Sequence, residues 1–322
     1  MIADCKEIGG YFEFEHFSGD EYHPMAVRLN SGRNCLEYLA KAKNLKKIYL
    51  PYYLCNSIKD TCSRINLGIE YYHVNNHFEP TLETKVGCNE AVFLVNYYGM
   101  LTNEDILILK EKYRNVIADF THSFFQMPTE SIDTIYSCRK FFGVPDGAYL
   151  YTDASLKEEL ETEVSSNRLT HLIGRFEGYA SDYYIEFTKA ERVIKEQPLR
   201  YMSAFTQNIL RGIDYKAAMD RRIRNFEYLN EKLQYLNEFE IDMKNVPFAY
   251  PFYTLRAQEM RSKLILRKIY IPMLWADTLS SKGVGQTEKE YVENILPLPV
   301  DQRYGEEEMT RIINEVIRAS EL

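Results

Sequence analysis

Between residues 29 and 152 of this 322-residue chain, short runs of apolar residues alternate with segments whose apolar positions recur at helical spacing. The runs predict strands over 47–50, 69–74, 91–97, 116–119, 132–136 and 148–152, and the helical spacing predicts helices over 29–42, 57–65 and 104–113. Near-continuous apolar strands separated by helices imply a mainly parallel sheet covered on both faces. In such sheets ligands bind beyond the carboxyl ends of the strands. Pro51-Tyr52-Tyr53, Asn96-Tyr97-Tyr98-Gly99, Asp119 with His122, and Ser137 to Lys140 all fall at predicted ends of that kind.

Farther along, 155–167 reads as helix, 176–238 as a long helix-rich region, and 8–15 as an extended surface segment of the edge-strand type. The stripe Arg221, Arg222, Arg224 and Glu227 reads as a solvated helix face or a packing surface between subunits. From about Ile241 the pattern is α+β: strands at 248–255 and 269–271, a helix at 258–268, a further segment at 295–300, a last helix at 306–319, and a Gly- and Ser-containing loop at 277–286 that suits a substrate entrance. We divide the chain into a large domain, 1–238, and a small one, 239–322.

Composition is that of a globular protein, 45% hydrophobic and 27% charged. The net charge of −8, with basic residues scattered, argues against nucleic acid as a partner. The six cysteines form no CxxC pair or His-flanked metal spacing, so no metal is expected and they read as free thiols of a reducing cytoplasm. No apolar run approaches the ~18 residues of a membrane span, so no membrane association is expected.

The stretch from Ala118 to Lys140 carries the candidate chemistry. It offers Asp119 at the end of one strand, His122 just after it, and Ser137-x-x-Lys140 at the end of the next. Pyridoxal phosphate chemistry needs a lysine to bind the aldehyde and an acid to keep the pyridine nitrogen protonated, and two adjacent strand ends supply both. The same residue types are also common at solvated loop ends. A second element is the start of the helix after Asn30 and Ser31. Free N–H groups and the positive dipole end beside Gly32 make a natural phosphate cradle.

The motifs EIGGYFEFE, LNSGRNCLEYL, IYLPYYLCNSI, LVNYYG, IADFTH, YSCRKFFGVPDGAY, RRIRNFEYLNEKL and ILPLPVDQRYGEEEM together resemble the DegT/StrS family of pyridoxal-phosphate-dependent sugar aminotransferases, over nearly the whole chain. The resemblance implies an α/β fold of aspartate aminotransferase type (fold type I), pyridoxal 5'-phosphate as cofactor, a homodimer with active sites at the subunit boundary, glutamate as amino donor and a nucleotide-linked keto-sugar as acceptor. It makes Lys140 the lysine that binds the cofactor and Asp119 the partner of the pyridine nitrogen. His122 stands where the family has Gln or His near the phenolic oxygen. Ser31, Gly32 and Arg33 match the Ser-Gly-Thr of the phosphate-binding helix, and Ser137 replaces a serine placed slightly upstream. The family's Gly-Glu-Gly-Gly is here Pro145-Asp146-Gly147-Ala148, and its Asn-x-Arg-Met is Leu199-Arg200-Tyr201-Met202. Its ring-stacking aromatic falls on Cys55, leaving Tyr52 or Tyr53 for that role, of which Tyr53 is preferred. A rival expectation is a divergent relative that runs another pyridoxal reaction or only binds. The family's sugar dehydratases carry histidine in place of the lysine, so Lys140 speaks against that branch.

Overall fold

The computed structural model describes residues 8–321, so Cys5 lies outside the described residues. The chain runs β1 (Val27–Leu29), α1 (Gly32–Ala42), β2 (Lys47–Pro51), α2 (Asn56–Arg64), β3 (Gly68–Tyr72), β4 (Glu90–Val95), α3 (Asn103–Tyr113), β5 (Val116–Asp119), β6 (Asp133–Ser137) and β7 (Ala148–Tyr151). It continues through α4 (Thr170–Glu177), α5 (Tyr184–Glu196), α6 (Ala204–Arg211), α7 (Tyr215–Leu233), β8 (Ala249–Tyr253), α8 (Ala257–Leu266), α9 (Gln286–Asn294), β9 (Ile295–Pro299) and α10 (Glu306–Glu321).

The main sheet has seven strands in the order β1-β7-β6-β5-β4-β2-β3, and β7 is antiparallel to both neighbours while the remaining pairs are parallel. Its centre consists of the apolar strands: from Ala91 to Val95 and from Val116 to Asp119 every residue is buried. Both faces of these strands are therefore covered, as their lack of apolar–polar alternation requires. β8 and β9 form a separate antiparallel pair. That pair, α8 and α10 enclose a second core, which also draws Phe226, Leu229 and Leu233 from the end of α7.

Two predicted elements are absent, and a third is exposed at the surface without the pairing of an edge strand. Residues 155–167 form no α-helix, because their backbone groups bond elsewhere: Glu163 N–H donates to Tyr201 O and Tyr201 N–H to Glu161 O, each at 2.9 Å. Residues 269–271 form no strand; Ile269 and Ile271 are buried, but Ile269 N–H donates back to Leu264 O to close α8. Residues 8–15 pair with no strand. Just beyond them the chain is tied to α6, with Asn208 donating to Glu15 O and accepting from Phe17 N–H. The charged stripe divides: Arg221, Arg224 and Glu227 are exposed, as a solvated face requires. Arg222 is only 1% exposed, in a knot of neutral acceptors rather than on a solvated face.

Candidate active site

The carboxyl ends of β1, β2, β4, β5 and β6 lie along one edge of the sheet. β5 terminates at Asp119, whose Oδ1 accepts the Thr121 N–H at 2.9 Å, a local turn that removes that donor from any ladder and leads the chain into His122. The β4 end is locked to the β5 end, since Asn96 N–H donates to Asp119 O at 3.1 Å. β6 ends at Ser137 and passes into a single 3₁₀ turn, Cys138–Lys140, and the Ser137 hydroxyl makes no capping hydrogen bond there.

Asp119 is buried, and desolvation raises its pKa against the pull of the Thr121 bond and of the Lys140 charge. Lys140 keeps solvent access, yet protein surrounds its ammonium closely enough for desolvation to lower its pKa, with Arg139 and Arg33 adding to the effect and Cys55 and Asp119 opposing it. His122 is 4% exposed, and burial, then the Lys140 charge, hold it far below the usual histidine range. Its Nδ1 has no hydrogen-bond partner among the described residues. The ring is stacked on Phe248 at 3.9 Å and 14°, with Trp275 tilted against it at 5.0 Å.

Next to this group lies the start of α1. Ser31 is its N-cap, accepting from Asn34 N–H, and no acidic residue occupies its first turn. Arg33 has its pKa lowered by burial, with Arg64 and Asp60 as charged neighbours and Cys55 nearby, and neither it nor Lys140 is held in an ion pair among the described residues. Arg139, which the sequence reading passed over, is pushed down to about 10 by desolvation and by Arg33, and it pairs with Glu191 of α5. Three cations thus crowd a helix N-terminus, and two of them lack a carboxylate partner, an arrangement that a bound dianion would relieve.

The Tyr53 expectation fails in this geometry. Its ring is 0% exposed, stacked on Tyr97 at 4.9 Å and met by Trp275 at 4.6 Å, so no face is open to a ligand. Tyr52 stacks between Tyr71 and His73. Cys55, half-buried at the start of α2, is the residue of this strand end that lies near Lys140 and Arg33.

The Pro145–Gly147 turn has a structural task. Asp146 is buried and accepts the Ser203 N–H at 2.8 Å, the Ser203 hydroxyl at 2.6 Å and the Thr206 hydroxyl, so it fastens Ser203, the N-cap of α6. Gly147 has φ +112°, and a Cβ there would meet Thr206 Cγ2 at 2.9 Å. Over the opposite end of the site lies the loop before α9: Asp277 Oδ2 accepts the Asn56 N–H at 3.0 Å, Thr278 donates to Tyr52 O at 3.1 Å and Lys59 donates to Ser281 at 3.0 Å. That loop is therefore latched to the start of α2. Sequence reasoning also missed Phe248 and Trp275, although Trp275 is the sole tryptophan and adjoins the loop singled out as an entrance.

No family model matches the sequence, and no curated protein matches it. Solved structures do match its fold. A DegT/DnrJ/EryC1/StrS aminotransferase from Brucella abortus aligns at TM-score 0.61 and 14% identity over 91% of this chain and 85% of that one. DesV from S. venezuelae, solved in complex with a ketimine intermediate, aligns at TM-score 0.63 and 16% identity over 92% and 85%. NtdA from Bacillus subtilis, solved with bound cofactor PMP, aligns at TM-score 0.67 and 12% identity over 92% and 73%. The chain has the fold of the pyridoxal-phosphate-dependent aminotransferases. At these identities the likeness fixes the architecture, and the chemistry has to be argued from the residues themselves.

The residues fit the cofactor at three points. The α1 start with Arg33 suits a phosphate, buried Asp119 suits a protonated ring nitrogen, and the unpartnered His122 Nδ1 suits a ring oxygen substituent.

Proposed function

We propose that the chain is a pyridoxal-phosphate-dependent aminotransferase, a divergent member of the DegT/StrS family acting on a sugar. The observation that carries this reading is the meeting of an unpaired Lys140 with buried Asp119 and His122 at the strand ends, beside the cationic start of α1. When bound, pyridoxal phosphate supplies an aldehyde that takes up an amine and a protonated ring that accepts the electron pair released at the neighbouring carbon. Lys140 would hold that aldehyde and would carry the proton to and from the substrate's α-carbon. Its depressed pKa leaves a larger share of the amine unprotonated for that task. Asp119 would keep the ring nitrogen protonated and His122 would orient the phenolic oxygen. Ser31, Gly32, Arg33 and Ser137 bind the phosphate. Arg33 provides from the same subunit a donor that Leu199, apolar where the family has asparagine, cannot provide to a partner.

Glutamate is the proposed donor and a nucleotide-linked keto-sugar the proposed acceptor, by the resemblance of the motifs. The proposed assembly is a homodimer. Apolar side chains supporting it stand free on α4 and α5, with Phe176 93% exposed, and on the extended segment that holds Tyr11 and Phe12. Sedimentation at micromolar concentration that reads only monomer would overturn that assembly.

Purified protein incubated with pyridoxal phosphate should absorb in the visible and lose that band on adding glutamate, and Lys140→Ala should do neither. A Lys140→Ala protein with full turnover would sink the assignment. The second reading, a relative that binds without turning over, is favoured by the closed Tyr53 cluster and by Cys55. It gains if the band forms but no amino acid discharges it.

A further inference from the structure

Arg222 lies on α7 with its guanidinium buried and no carboxylate within ion-pair distance among the described residues; burial pushes it down to about 10. Every acceptor it uses is neutral. Nε donates to Gln302 Oε1 at 2.8 Å, Nη1 to Pro247 O at 3.1 Å and Phe248 O at 3.3 Å, and Nη2 to Phe141 O at 3.4 Å. The Gln302 amide donates to the same Phe141 carbonyl at 2.7 Å, and the guanidinium lies 4.3 Å over the Phe141 ring. A desolvated cation on neutral acceptors is costly, so what this one fastens is informative. Phe141 directly follows Lys140. Phe248 is the residue whose ring is stacked on His122. A single side chain therefore grips the backbone beside the amine and the backbone that carries the cover of the imidazole.

We propose that Arg222 is a positioning residue for the Lys140 and His122 pair, holding the turn after β6 and the Phe248 ring in one register through the carbonyls of Phe141 and Phe248. The inference rests on the proposed aminotransferase reading for its catalytic meaning, but its geometry does not depend on the cofactor. Loss of the guanidinium frees the Phe141 carbonyl and lets Lys140 move relative to Asp119, Cys55, Arg33 and Arg139, the charged and titratable groups that set its ionisation. His122 is the remaining titratable group against it.

The test uses the full-length, cofactor-free protein in four forms: wild type, Arg222→Lys, Arg222→Met and Gln302→Leu. Each is treated with an amine-reactive reagent over a range of pH, and modification of Lys140 is followed by mass spectrometry. Arg222→Met should shift the Lys140 profile by half a pH unit or more, about threefold in rate below the midpoint, and Arg222→Lys should restore part of it. In protein loaded with pyridoxal phosphate the same variant should lose about 10- to 100-fold in kcat with little change in KM for the donor. An unshifted Lys140 profile with unchanged kcat overturns the proposal. If Arg222→Met does not fold, Gln302→Leu, which removes a second donor from the Phe141 carbonyl, decides the question by the same readout. A shifted profile in a protein that takes up no pyridoxal phosphate would leave this inference standing and overturn the proposed function instead.

Discussion

Replacing His122 with leucine should change how stability depends on pH far more than it changes stability itself. The imidazole is 4% exposed, and its unpartnered Nδ1 costs about 1–3 kcal/mol as a buried unsatisfied group. Leucine removes that cost at similar volume but forfeits the stack on Phe248, worth about 0.5–1.5 kcal/mol. These terms nearly cancel, so at about pH 8 the two cofactor-free proteins should unfold within about 1 kcal/mol of each other. Below pH 6.5 they separate. The folded-state pKa of His122 is depressed, so the unfolded chain binds the proton that the folded chain refuses. The stability that His122 contributes is complete above 6.5 and is lost as the pH falls from there toward the folded value. The slope of that loss approaches about 1.4 kcal/mol per pH unit. His23, pushed down to about 4 by burial, and Asp119, pushed up, titrate in both proteins and drop out of the difference. Urea denaturation followed by far-ultraviolet circular dichroism at about pH 8 and about pH 5.5 gives the two differences directly. Wild type should lose roughly 1.4 kcal/mol more than His122→Leu over that interval. Parallel curves would mean that the imidazole is solvated or protonated when folded, and its assignment as a neutral partner of a ring oxygen would fall with them.

Two further outcomes follow from the phosphate side and from the turn after Lys140. Arg33→Met should weaken pyridoxal phosphate binding about 10- to 100-fold, the equivalent of one charge-assisted hydrogen bond, in a spectrophotometric titration; an unchanged Kd removes Arg33 from the cradle. Gly147→Ala should destabilise the fold by about 1–3 kcal/mol, because alanine at φ +112° is strained and its Cβ meets Thr206. Gly32→Ala should be tolerated, since its Cβ would meet only Ile135 Cγ2 at an ordinary 3.6 Å. Thermal melts of the two variants that came out equal would contradict this contrast.

The strands of the central sheet were legible because parallel strands buried on both faces must be largely apolar, and β4 and β5 announce themselves that way. Asp119 and Lys140 could be singled out because a charge at the end of such a strand, or one turn beyond it, lands at the carboxyl edge of the sheet. The Ser31 cap was legible for a local reason, its short side chain next to a helical pattern. The misses share another cause. Residues 155–167 have helical composition, but the chain at Tyr201, some forty residues on, captures their backbone. Arg222 looks like one charge among several until the carbonyls of Phe141, Pro247 and Phe248 surround it, and those lie some hundred residues apart in the chain. Tyr53 followed a strand end as a cofactor-stacking residue should. Its burial depends on Tyr97 and Trp275, which no local pattern ties to it.

Trp275 is the chain's sole tryptophan, and it lies on the latched loop against Tyr53, Tyr97, Tyr98 and His122. Its fluorescence is thus a local instrument. An emission change during heating would register the loop lifting from the strand ends, whether or not the sheet had melted, and would arrive earlier than the loss of ellipticity if the latch opens first. The gap between the two signals would measure how independently the cover of the site moves.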